Sequence, residues 1–128
     1  MVVVRCVIVD DSPGFLAAAR RLLAAQGITV AAVASNGEEA LQRVEELRPD
    51  VVLVDINLGE ESGLELAGQL SRRTDPAPWI ILISAHAEQN YRDLVTDSPA
   101  IGFLPKVALS ARAIDDLLGD AATGPRER

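Results

Sequence analysis

The stretch Val51-Val52-Leu53-Val54-Asp55 decides the fold. Four apolar residues run straight into one carboxylate. No polar residue alternates with them, so the strand is covered on both faces, as in a parallel sheet flanked by helices. A strand buried that way has only its end free for chemistry. Asp55 stands at that end, ahead of the loop Asn57-Leu58-Gly59-Glu60-Glu61-Ser62-Gly63, and is read as a reactive carboxylate.

Working outward, the same alternation of strand and helix recurs. Val2 to Val9 is an apolar run interrupted by Arg5 and ending in Asp10-Asp11, the first strand. Ser12-Pro13 reads as an N-cap with proline at the first helical position, and Gly27 stops that helix. Ile28 to Ala34 is the second strand. Ser35 and Asn36 can both cap the second helix, with Glu38 or Glu39 completing a capping box. The third helix starts near Ser62-Gly63. Trp79 to Ile83 is a fourth apolar strand ending in Ser84. The fourth helix is expected over Glu88 to Thr96. Ile101 to Leu104 is the fifth strand, ending at Pro105-Lys106, and Ser110 caps a fifth helix that Gly119 stops. Strand and helix alternating in this way give an α/β doubly wound (βα)5 sandwich of the flavodoxin-like type, with parallel strand order 2-1-3-4-5. One domain is expected over 2–119, followed by a polar, disordered tail over 120–128.

Bulk properties bound the function. At 128 residues, 48% of them hydrophobic, the chain can bury a core of its own. The formal net charge of −7 argues against direct DNA binding, since phosphate backbones require clustered Lys and Arg. No apolar run is long enough for a membrane span, and the N-terminus lacks a signal-peptide layout. Cys6 is the one cysteine, read as a small hydrophobe within a strand. A lone thiol agrees with a reducing compartment, so a cytoplasmic location is expected.

In a parallel sheet the strand C-termini share one edge. Asp10 and Asp11, Asp55, Ser84 and Lys106 all fall there, and this topology opens its ligand crevice between strands 1 and 3. Carboxylates brought that close repel one another unless a cation joins them. Hard oxygen donors suit Mg²⁺ (or Mn²⁺). A divalent metal beside a lysine and a hydroxyl is a layout for phosphoryl transfer, with one carboxylate as nucleophile. Asp10 and Asp11 are adjacent and suit the metal. Asp55 stands alone on the central strand and suits the attack.

With those residues in place, the chain resembles the receiver domain of bacterial two-component response regulators along nearly its whole length. The acidic pair Asp10-Asp11, the phosphoacceptor Asp55, the switch hydroxyl Ser84, the switch aromatic Phe103 and Lys106 all have counterparts, in order. The run Phe103-Leu104-Pro105-Lys106 is most similar to receivers of NarL/LuxR-type regulators, here without their DNA-binding output domain. The resemblance implies that Asp11 ligates the metal directly and Asp10 acts through water. Asp55 and the main-chain carbonyl of Asn57 supply further metal ligands. Ser84 and Lys106 would each hold a phosphoryl oxygen. Phe103 would rotate inward on phosphorylation, and Asn57 and His86 would tune phosphoryl loss. It implies a sensor histidine kinase or phosphotransfer protein as partner. It also implies a switched surface of helix 4, strand 5 and helix 5 that binds a partner or a second copy. Catalysis would be confined to the domain's own phosphorylation and dephosphorylation. The chain departs from the common pattern at Val107, where proline often follows the lysine, and at Gly59, where the family often has proline. The Glu60-Glu61 pair reads as solvated loop.

Two other readings compete. A phosphatase of the haloacid dehalogenase type also uses an Asp nucleophile with Mg²⁺. It needs a second acid two residues on, where this chain has Asn57. A pseudo-receiver would bind partners without phosphorylation, and the complete acidic set and lysine argue against it.

Overall fold

The computed structural model describes residues 4–85 and 91–123. Its sheet strands are β1 (Arg5–Val9), β2 (Thr29–Ala34), β3 (Val51–Asp55), β4 (Trp79–Ser84) and β5 (Gly102–Pro105). The helices are α1 (Pro13–Ala25), α2 (Gly37–Leu47), α3 (Gly63–Arg73), α4 (Tyr91–Thr96) and α5 (Ala111–Thr123). Four pairings, all parallel, set the order β2-β1-β3-β4-β5, as the sequence implies. A two-residue ribbon, Asn57–Leu58 against Glu61–Ser62, folds the loop after β3 back on itself.

β3 is buried at every residue. Its side chains divide by parity between two cores. Val51 and Leu53 join Cys6, Ile8, Ile81 and Ile83 beneath α1 and α5, where Leu16, Leu23 and Ile114 close the layer. Val52 and Val54 join Val7, Val9, Ile80 and Leu82 beneath α2 and α3, against Val44, Leu66 and Leu70. Each such side chain contributes roughly 1.5–3 kcal/mol of transfer free energy, so the central strand is fixed from both sides. Burial also pushes the Cys6 thiol up to about 12, which makes it an inert core residue.

The helix ends follow their local chemistry. Ser12 Oγ accepts the Phe15 N–H at 3.3 Å at the start of α1, and Gly27 takes φ 95° after its end. At α2 the capping box is split between two residues. Asn36 Oδ1 accepts the Glu39 N–H at 2.9 Å, while Glu39 Oε1 accepts the Ser35 N–H at 2.8 Å. Arg5, the interruption in the first strand, donates from Nη1 to Leu47 O at 2.8 Å and closes the other end of α2.

Some boundaries differ from expectation. α5 continues through Gly119, the expected stop, to Thr123, so residues 120–123 are helical where a disordered tail is expected from the sequence. Glycine stops a helix when it takes up a left-handed conformation, and Gly119 does not; Asp120 and Ala121 carry the helix on. A short 3₁₀ turn, Lys106–Ala108, precedes α5. The expected start of the fourth helix at Glu88 lies outside the described residues, as do residues 124–128.

Truncation of Leu53 to alanine removes a fully buried side chain from the central strand. Urea denaturation of Leu53→Ala is expected to show a loss of about 2–5 kcal/mol. Val107→Ala, at a position that is 95% exposed, is expected to stay within about 0.5 kcal/mol of wild type.

Candidate functional site

Strand register builds the site. Val9, Val54, Leu82 and Phe103 lie level across the sheet. The next level therefore carries Asp10 beyond β1 and Asp55 at the end of β3, level with Ile83. Ser84 pairs with Pro105 one step higher, and Lys106 follows directly. Asp10, Asp55, Ser84 and Lys106 thus meet at one edge.

Asp10 is fully buried. Its Oδ1 accepts the Ser12 N–H at 2.8 Å. Its Oδ2 makes an ion pair with Lys106 Nζ at 2.5 Å but lacks a partner in hydrogen-bond geometry. Asp55 is 6% exposed, with Oδ1 accepting the Asn57 N–H at 3.0 Å and Oδ2 lying 3.0 Å from Lys106 Nζ. Asp11 is exposed at the rim. One carboxylate oxygen from each of Asp10, Asp11 and Asp55 lies within 4.8 Å of the others.

These surroundings set the charges. Burial pushes the Asp55 carboxyl above its ordinary value; the Asn57 N–H and Lys106 pull it down, and the Asp10 charge adds to the rise. Burial alone would lower the Lys106 ammonium, but the Asp10 and Asp55 carboxylates outweigh it and hold it above the ordinary lysine value. The donor set fits a hard divalent cation. Every donor in the cluster is a carboxylate oxygen, and the buried Asp10 Oδ2 has capacity left for one.

The remaining expected residues are placed as follows. Ser84 is buried at the end of β4. Phe103 is half-buried on β5, packed against the core beneath α2 and α3. Asn57 is exposed and opens the ribbon after β3. The Lys106–Val107 bond is trans. His86 lies outside the described residues.

Three neighbours of the site were not legible in the sequence. Gly63 opens α3 against the end of β3: a Cβ there would lie 1.8 Å from the Asp55 carbonyl oxygen. Glu61 is more than solvated loop, because its Oε1 accepts the Gly37 N–H at 2.9 Å and caps α2. The Phe15 ring lies under Lys106 Nζ, 4.4 Å from the ammonium. A glycine closing the loop after Asp55 was the one signal for Gly63. For the other two, only the folded chain brings the partners together.

Fold and strand-end acidic cluster together define a domain of the receiver type, and the comparisons agree. The chain belongs to the response regulator receiver domain family, whose model matches residues 6–117. Among curated relatives, it is 35% identical over 100 residues to the DNA-binding transcriptional activator EvgA of Escherichia coli K12, covering 78% of this chain and 48% of that protein. It is 34% identical over 104 residues to the transcriptional regulatory protein DegU of Brevibacillus brevis, covering 80% and 44%. The chain therefore spans about half the length, or less, of these curated relatives. Its fold superposes on the signal receiver domain of NarL from Mycobacterium tuberculosis with TM-score 0.78 and 27% identity, covering 95% and 98% of the two chains. A LuxR-family two-component response regulator from Aurantimonas sp. SI85-9A1 gives TM-score 0.80 and 25% identity, covering 94% and 86%. Among the described residues, no helix is long and apolar enough to cross a membrane.

Two predictions follow from this geometry. Gly63→Ala forces the Asp55 backbone aside and is expected to lower stability by about 1–3 kcal/mol, read from the urea midpoint. Because Asp55 has a raised carboxyl pKa, the fold disfavours its ionised form. That penalty is absent below the ordinary carboxylate value of 3.8, grows as pH rises and is complete above the raised value. In chelator, Asp55→Asn is accordingly expected to raise the melting temperature at pH 7, with the gain vanishing as pH falls below that window.

Proposed function

We propose that Asp55 accepts a phosphoryl group and that the aspartyl phosphate is the signalling state of this domain. The observation carrying this reading is the Lys106 ammonium held between the Asp10 and Asp55 carboxylates, in a member of the receiver family. An Asp55 carboxylate oxygen attacks the phosphorus of a phosphohistidine on a sensor histidine kinase or phosphotransfer protein. The new O–P bond forms as the P–N bond breaks, and the imidazole leaves with the bonding pair. Lys106 draws the Asp55 carboxyl down against the rise that burial imposes, and would meet a phosphoryl oxygen on arrival. Ser84 bonds a second oxygen, and Phe103 follows Ser84 inward.

Asp10, Asp11, Asp55 and the main-chain carbonyl of Asn57 would hold Mg²⁺ (or Mn²⁺). When bound, that ion supplies charge neutralisation at the phosphoryl oxygens. Asn57 carries no acid–base group, so the chain activates no water through it and is not a turnover phosphatase. Asn57 and His86 set the lifetime of the phosphoryl group, and the only reaction the chain catalyses is on itself. The altered surface of α4, β5 and α5 binds the downstream partner or a second copy. The fit is to a cytoplasmic signalling protein whose net charge of −7 makes DNA a poor direct ligand.

Incubation of the purified chain with labelled acetyl phosphate and Mg²⁺ tests the reading. Wild type is expected to take up one phosphoryl group per chain, chelator to abolish uptake, and Asp55→Ala to take up none. Label persisting in Asp55→Ala overturns the assignment. Mg²⁺ alone is expected to raise the melting temperature of wild type, and Asp11→Asn to remove most of that rise.

A further inference from the structure

Lysine carries its ammonium on four flexible bonds, and here two carboxylates reach it. Phe15, the third residue of α1, adds a third contact. Its ring centroid is 4.4 Å from Lys106 Nζ, well within the range of a cation–π contact. The ring is itself anchored. It packs against the core beneath α1 and α5, and the Phe15 N–H is tied to the Ser12 cap at 3.3 Å. The Lys106 side chain is left 16% exposed, so the contact works largely out of water, where it is stronger.

We propose that Phe15 is a positioning residue for phosphoryl transfer to Asp55, its ring face holding the Lys106 ammonium in place over the Asp10–Asp55 pair. The proposal rests on the reading that Asp55 is the phosphoacceptor. A ring suits the task better than the alternatives. A third carboxylate against Lys106 would neutralise the charge that the phosphoryl oxygens need, and an aliphatic side chain would leave the ammonium free to swing toward solvent. The π face attracts the cation without taking its proton and without offering a second nucleophile. Lysine held this way needs little reorganisation when charge builds up on the phosphoryl group. As acetyl phosphate donates, the Asp55 O–P bond forms, the bridging P–O bond breaks and acetate leaves with the electron pair. Lys106 remains an ammonium throughout.

The test measures initial rates of labelling from acetyl phosphate with saturating Mg²⁺, with melting temperatures taken in parallel. Phe15→Leu is expected to slow labelling about three- to fivefold, and Phe15→Trp to restore it. A series with fluorinated phenylalanines at position 15 keeps the shape and drains charge from the ring face. Rates are expected to fall stepwise along it, to about a fifth at the trifluoro ring. The Lys106 ε-methylene protons should show an upfield ring-current shift in wild type that Phe15→Leu loses. A flat fluorine series overturns the proposal, even if Phe15→Leu is slow, because packing alone would then account for the loss. If Phe15→Leu does not fold, the fluorine series decides alone. Wild type that takes no label at all overturns the phosphoacceptor reading, and the proposal with it; labelling with a flat series overturns this proposal only.

Discussion

One ammonium shared by two buried carboxylates is the interaction on which the rest of this domain depends. Asp10 is fully buried, Asp55 nearly so, and Lys106 Nζ reaches both. Removing the lysine would leave two like charges facing each other out of water, a strongly unfavourable arrangement. The pair is not fully balanced even with it. Asp11 adds a third carboxylate at the rim, so the cluster keeps an excess of negative charge. Burial keeps the Asp55 carboxyl pKa raised, with the Asp10 charge adding to the rise, and the excess negative charge leaves the edge receptive to a further cation.

The sheet brings these charges together at little local cost because its topology does the placing. Asp10, Asp55 and Lys106 each need only to follow a strand in the right register. The register is fixed in turn by burial on both faces, since a slip of one residue in β3 would exchange Leu53 and Val54 between two different cores. The same hydrophobic runs that make the core therefore aim the carboxylates.

This explains which parts were legible in the sequence. The fold, its strand order and the strand-end residues could be read because apolar runs mark parallel strands and parallel strands share one edge. Helix starts could be read where the cap is local, as at Ser12, Asn36 and Ser62. Contacts between residues far apart in sequence could not. Glu61 caps Gly37 across 24 positions, Arg5 closes α2 across 42 and Gln26 Oε1 accepts the Ala111 N–H across 85. Each of these residues reads as an ordinary polar residue along the chain. Gly119 misled in the opposite way, because a stop signal requires a left-handed backbone that this glycine does not adopt. Nothing along the chain singles out Phe15 after the Ser12-Pro13 cap, and only the fold puts its ring beneath Lys106.

Seen from Asp55, the surroundings are unequal on their two sides. Toward α2 and α3 the backbone is locked. The Gly63 N–H donates to Ile56 O at 2.8 Å, Gly63 packs directly on the Asp55 carbonyl, and Glu61 fastens the loop after β3 to α2. Toward β5 the chain leaves Lys106 in a single 3₁₀ turn, beside a Val107 that is almost wholly exposed. Asp55 is therefore fixed through its carbonyl and its following loop, whereas Lys106 reaches it from the start of a short turn. The carboxylate is thus placed by packed backbone, and the ammonium by a long side chain that reaches across from the end of β5.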